Sequence, residues 1–507
     1  MLFQTSTSNI LINNKIKQIK QIKQIKQIKQ IKQIKQIKHI KNHKKIGVVI
    51  TTHGYNGIYV IQCIECYLRY IPDAYIVLFV NESSDPMILN IKDNFPTIEY
   101  IYIQNQKKFG GLTGTWNSGI NLCIKNNCSI VILSNDDIFF DNTINYIIYD
   151  AWNCSNNDMK YFGPITNNPG PTISNKFLQY GLHALNKESY EAIYNKKKHN
   201  INGFFMVFPI HVLIKNKYNN NYYFDPSFAF GGNEVEWFNR FVKKGGQAMI
   251  TPRTFIYHYK LNLWNNKVKN DTCIYSINLG NYEGNYVRLK KSNDIDYIYF
   301  TDNFNMNKNS VIYKCINNGI IFFYINTSKY KSTGWWSVSK HVQRQIKSSP
   351  HKFLPHNYTK SIYIDGNINL LKDFYKKDID NYLNNYDIVC FEHPIKKHNL
   401  YNESKTIINA KLDTASNVNK IMKIIADNKF TDNINLTETC ILIRNHVNIK
   451  KFSLEWSELL NICIRDQMSF DYLLLKHKVK FNRLSIKDRH YIMEKVPHIN
   501  AINRKYK

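Results

Sequence analysis

The 507-residue chain is 43% apolar and 14% aromatic, enough to build real cores in two or three domains, which excludes an intrinsically disordered protein. Its net charge of +30 points towards nucleic acid, but twelve lysines and no acid fall within residues 1–45, leaving +18 spread over the rest. No helix-turn-helix, zinc-finger or RNA-recognition signature accompanies that charge, so no specific nucleic-acid partner is expected.

From Ile16 to Lys41 the sequence repeats Ile-Lys-Gln. A helix advances 3.6 residues per turn, so an isoleucine every third residue winds round the cylinder and forms no apolar stripe. The expectation for 1–45 is a disordered basic tail, with at most a weak contact to anionic surfaces. The opening MLFQTSTSNILI carries its charges after the apolar patch, unlike a secretion signal, and no run approaches a membrane span. A cytoplasmic location with reduced cysteines follows, and Cys63-x-x-Cys66 reads as two buried thiols in a helix.

KKIGVVITTHGYN then reads as a strand ending in turn residues, followed by a helix to about Tyr70 and by strands in AYIVLFVNESSD, TIEYIYIQN and CSIVILS. Strands alternating with helices predict a parallel sheet covered by helices. Ligands of such sheets lie at the carboxyl ends of strands, which singles out Thr52, Asn81 and the run Asn135-Asp136-Asp137. Carboxylates there can hold Mg2+ or Mn2+, and two adjacent aspartates also serve as turn or capping residues. Further on, FGGLTGTWNSGI places Gly110, Gly111, Gly114 and Asn117 at a helix start, where glycines permit close backbone approach to a ligand. DPSFAFGGNEVEWFNRF sets Glu234 and Glu236 ahead of Arg240, and PRTFIYHY ends in His258, which reads as a ligand or as a packed histidine.

In this order the segment resembles glycosyltransferase family 2 and its relatives, which have the GT-A fold. The resemblance implies that Asp137, with Asn135 or Asp136 beside it, holds the metal and the donor ribose. It makes Glu234 the base, with Glu236 as the alternative, turns Arg240 to the diphosphate, and lets His258 complete the metal shell. Thr52, Asn81 and Asn117 join the donor set. Two positions depart from the family pattern: Val80 stands where an Asp is usual, and Asn233-Glu234 replaces Glu-Asp.

The polar stretch over 271–292 reads as a linker. After it, IDYIYFTDN, SSPHKFLPHNYTKSIYIDGNI, YDIVCFEHP, CILIRNH and IRDQMSFDYLL resemble domain-of-unknown-function family 616, regarded as glycosyltransferase-like. Asp365-Gly366-Asn367 at a strand end is a plausible variant of a metal-binding Asp-x-Asp, and Asp302 is a nucleotide contact. His393, His446 and Asp466 are further donor or acceptor candidates, and Trp335 or Trp336 could stack on a sugar.

The expected architecture is therefore α/β, with two tandem GT-A-like, Rossmann-related domains at 46–270 and 293–490, a linker between them, and basic tails at 1–45 and 491–507. The expected activity is metal-dependent transfer from a nucleotide-sugar to a glycan or glycoprotein acceptor. A single active domain beside a carbohydrate-binding or scaffolding one is the alternative, and a basic nucleic-acid-binding protein is the alternative of another class.

Overall fold

The computed structural model describes residues 45–53, 57–83, 85–167, 188–194, 196–259, 270–289, 294–305, 309–331, 336–355, 358–395, 398–428, 430 and 436–498. The Ile-Lys-Gln tail and Trp335 lie outside the described residues. The chain divides into two compact units, one made of residues 1–54, 64–83 and 89–258, the other of 55–63, 84–88 and 259–507. Among the described residues no helix is long and apolar enough to cross a membrane. All ten cysteines are described, and none is in a disulfide; Cys63 and Cys66 are buried.

The first unit opens with β1 (Lys45–Thr52), buried from its second residue onward as a β-branched central strand should be. Helix α1 (Gly57–Tyr70), of which residues 64–70 belong to this unit and 57–63 to the other, β2 (Tyr75–Asn81), β3 (Glu99–Ile103), α2 (Gly111–Lys125) and β4 (Cys128–Asn135) follow. Next come β5 (Ile138–Phe140), α3 (Ile144–Trp152), β6 (Lys160–Thr166), β7 (Phe205–Pro209), α4 (Asn233–Lys243) and β8 (Gln247–His258). The sheet order is β3-β2-β1-β4-β7-β6-β8-β5. The first four strands are mutually parallel, β7 runs antiparallel between β4 and β6, and β8 is parallel to β6. Thr52, Asn81 and Asn135 therefore end neighbouring strands on one edge.

The second unit contains β9 (Thr272–Asn278), β10 (Asp296–Thr301), β11 (Ile321–Tyr324), α5 (Val338–Ser348) and β12 (Lys360–Ile364). After them come β13 (Ile388–Glu392), α6 (Leu400–Asn409), α7 (Ala415–Asp427), β14 (Thr437–Asn445), α8 (Gln467–Lys476) and β15 (Phe481–Leu484). Its sheet order is β11-β10-β9-β12-β14-β13-β15, with β14 alone antiparallel to its neighbours. This repeats the first unit's plan: four parallel strands spreading from the first one, then an antiparallel strand, then two more parallel ones. Both units are α/β with a Rossmann-like parallel half.

Two expected boundaries change. Residues 272–278, expected in the linker, form β9, the central strand of the second sheet, with every residue buried between β10 and β12. Its Thr272, Tyr275, Ser276 and Asn278 side chains made it read as polar, yet a strand flanked on both sides satisfies its backbone completely. At the other end, Met493–Lys495 pairs with Ile368–Leu370, so the first part of the expected tail 491–507 belongs to the fold.

Candidate functional site

In the first unit the strand-end residues converge as the parallel register requires. Asn135 closes β4 and donates its backbone N–H to the Phe204 carbonyl at 2.8 Å. Asp136 and Asp137 make the tight step into β5, which pairs antiparallel with the end of β8, placing His258 opposite Ile138. That ladder brings His258 Nε2 to 3.3 Å from Asp137 Oδ1, with both side chains largely buried. The ring of His258 stacks on Phe204 at 4.6 Å. Its peptide is bracketed by Asn167, which accepts from its N–H at 2.8 Å and donates to its carbonyl at 3.2 Å.

Burial, and next the adjacent Asp137 charge, push the Asp136 carboxyl up to about 7, against a hydrogen bond from Thr52 and the attraction of His258. Two carboxylates and an imidazole held together this way gain from a cation between them. Asn81, 1% exposed at the end of β2, has no partner among the described residues for either its Oδ1 or its Nδ2. A buried amide left unsatisfied on both sides is costly unless a ligand completes it.

Glu234 lies in the first turn of α4, its carboxyl close against Gly203 and Trp116, where a Cβ on residue 203 would come within 3.4 Å of both. Burial raises its pKa, as suits a base. Glu236 is different: it forms a two-pronged ion pair with Arg240, at 2.8 and 3.1 Å. The same guanidinium donates to the carbonyls of Asn216 and Tyr223, so its donors hold α4 to the 216–223 segment instead of pointing at a diphosphate. Asn117 is likewise turned to the chain's own backbone, accepting from the N–H groups of Tyr223 and Phe224 and donating to the Phe224 carbonyl. The expected glycine approach to a ligand is also internal. Gly111, at φ +63°, leaves room for the Ala229 carbonyl, which a Cβ would meet at 2.4 Å.

The second unit presents the topologically matching residues with different partners. Asp302, after β10, accepts the Gly280 N–H on both oxygens and the Ser339 hydroxyl, closing the loop after β9. Asp365, after β12, accepts from the Tyr363 hydroxyl and lies 3.6 Å from Lys347 Nζ. Lys347 is 1% exposed on α5, and its ammonium also reaches Asp466 at 2.5 Å. Asp466 stands at the head of α8, the helix before the last parallel strand, as Glu234 stands in α4. Burial alone would raise the Asp466 pKa, but Arg344, 3.0 Å away, and then Lys347 outweigh it and hold the carboxylate far below its usual range. An internal ammonium thus bridges the carboxylate that follows β12 and the one at the head of α8.

Asn367 is tied to the Val496 carbonyl, and buried Glu283, in the loop after β9, engages Arg288 and His498. His446 bonds Ser361 at 2.7 Å near the amino end of β12, away from the strand-end edge. Trp336 is buried at 6% exposure. Sequence reasoning missed Glu283, Arg344 and Lys347; reading TCIYSIN as a strand would have exposed Glu283 by the strand-end rule. It also missed His398 and Glu403. With His393 these form, among the described residues, the one group whose three ligand atoms all lie within 4.8 Å of one another. A cavity beside α8 is lined by Leu400, Phe430, Leu436, Gln467, Met468, Asp471 and Tyr472.

No family model matches the chain, and no curated protein does. Among solved structures, partial similarity is found to GalNAc-T7 with UDP, GalNAc and Mn2+, at 13% identity over 42% of this chain and 43% of that one, TM-score 0.33. It is found to Staphylococcus aureus TarS 1-349 in complex with UDP, at 11% identity over 42% and 60%, TM-score 0.30. It extends to Mycobacterium tuberculosis glucosyl-3-phosphoglycerate synthase in complex with Mn2+, uridine-diphosphate and phosphoglyceric acid, at 11% identity over 46% and 77%, TM-score 0.31. The chain thus spans less than two thirds of the length of the first two.

Proposed function

We propose that the first unit is a GT-A-type glycosyltransferase, moving a sugar from a nucleoside-diphosphate donor to a hydroxyl acceptor on a glycan or glycoprotein. The observation that carries this reading is the Asp136–Asp137–His258 cluster at the carboxyl end of β4, beside the unpartnered Asn81 amide on β2. The donor set suits a divalent cation: an oxygen and an imidazole nitrogen already 3.3 Å apart, with a second carboxylate that burial and like charge keep from ionising freely. Mn2+ or Mg2+ held there by Asp137 and His258 would neutralise the diphosphate leaving group.

The remaining roles fall to the chain's own residues. Asn81 offers one acceptor and one donor to the nucleotide, and Thr52 fixes Asp136. Glu234 takes the acceptor proton as the acceptor oxygen bonds to the anomeric carbon. The electron pair of the breaking glycosidic bond leaves on the diphosphate, and attack from the opposite face inverts the centre.

The second unit supports a narrower reading, a donor-binding or carbohydrate-binding unit in which the Lys347 ammonium, and no divalent cation, lies between Asp365 and Asp466. The test is a melting-point screen of nucleoside diphosphates and nucleotide-sugars with and without Mn2+, on the native chain and on Asp137→Ala. Stabilisation by at least one nucleotide that needs both Mn2+ and Asp137 is expected. Failure of every nucleotide to shift the melting point in either condition overturns the reading.

A further inference from the structure

We infer that His393, His398 and Glu403 form a zinc-type metal site in the second unit, separate in place and in chemistry from the carboxylate site of the first. The residues reach one another through local structure. His393 follows β13, and its N–H is held by the Leu436 carbonyl, while the Leu436 N–H is held by the His398 carbonyl, so one extended residue fixes both ends of the 393–398 loop. Asn399 then caps α6, accepting from the Asn402 N–H at 2.9 Å, which sets Glu403 one turn into the helix. Its carboxylate reaches back to His398 Nε2 at 2.8 Å. The two imidazole rings lie nearly parallel at 4.5 Å.

The chemistry selects the ion. Two imidazoles and one carboxylate suit Zn2+ and its neighbours among the transition metals, whereas Mg2+ and Mn2+ favour oxygen ligands. Three protein ligands leave one position of a tetrahedron for water or a ligand oxygen. His398 and Glu403 are buried, and the His393 ring stacks on that of His398. Because β13 runs parallel to β12, the group lies at the same sheet edge as Asp365. The competing role for these residues is a buried hydrogen-bonded pair with a stacked neighbour and no ion.

The test uses the full chain, stripped with chelator and titrated with Co2+ as a spectroscopic stand-in for Zn2+. One equivalent of Co2+ should give a tetrahedral visible absorption band that Zn2+ removes and that excess Mg2+ leaves in place. Asp137→Ala should keep the band, which separates this site from the first unit's. His393→Ala should abolish it while the far-ultraviolet circular dichroism stays native, since His393 is only half-buried. Should Glu403→Gln or His398→Ala unfold the chain, His393→Ala still decides. Absence of the band in the native chain, or its survival in folded His393→Ala, overturns the inference.

Discussion

At the residue scale the two glutamates of α4 are the sharpest contrast. Glu236 is spent on Arg240, whereas burial raises Glu234 and no cation among the described residues is paired with it. Glu234→Gln is therefore expected to lower transfer by roughly 10²-fold with donor affinity nearly unchanged, and Glu236→Gln to leave turnover within a few-fold while lowering the melting point. Initial rates beside nucleotide binding on the same preparations distinguish them. Asp136 yields a pH prediction. Its folded-state pKa is raised to about 7, so the folded protein holds a proton that the unfolded chain has released above the ordinary carboxylate range. Stability of the metal-free chain should then fall as pH rises from about 4 through 7. Asp136→Asn should stabilise the metal-free chain by about 1–3 kcal/mol at pH 8 and by little at pH 4, read from denaturant melts. Mn2+, which competes with that proton, should bind more tightly as pH rises through the same window.

At the scale of elements, Asn117 joins α2 to the 223–224 segment by three hydrogen bonds, so Asn117→Ala leaves two buried N–H groups without an acceptor. A loss of about 2 kcal/mol or more is expected, with catalysis falling only as far as the fold does. The same position illustrates how far the sequence could be read. Strands with β-branched runs and abrupt polar ends, such as β1, β2 and β4, announce themselves, and the residues after them fall together because parallel register forces it. Whether an Asn or Arg then faces a ligand or a carbonyl depends on partners a hundred residues away, which periodicity does not carry. The internal partners of Asn117 and Arg240 were invisible for that reason, and so was β9, whose burial comes wholly from its neighbours. In α5 and α8 the Lys347–Asp466–Arg344 cluster is another such case. Asp466→Asn would leave two buried cations short of one counter-charge, and a loss of about 3–5 kcal/mol in unfolding free energy is expected.

For the whole molecule, the repeated sheet order makes the two units comparable strand by strand, and the comparison separates their chemistry. The first unit sets Asp137 beside His258 after β4 and Glu234 in the first turn of α4, whereas the second bridges Asp365, after β12, and Asp466, at the head of α8, by a fixed ammonium. If both units use nucleotide donors, the first should need a divalent cation and the second should not. Asp137→Ala should then remove the Mn2+-dependent share of donor hydrolysis or transfer and leave any share measured in chelator unchanged. Lys347→Met should do the reverse, removing only the chelator-resistant share; methionine keeps much of the lysine volume, so that packing is disturbed less than the charge. Both variants should be checked by melting first, because Lys347 also neutralises Asp466. The rival arrangement, one active unit beside a binding one, gives a different pattern: Asp137→Ala abolishes all chemistry, and chelator does the same in the native chain. Measuring donor hydrolysis for the three proteins with Mn2+ and with chelator distinguishes the two, since only tandem catalysis leaves activity in Asp137→Ala that survives removal of the metal.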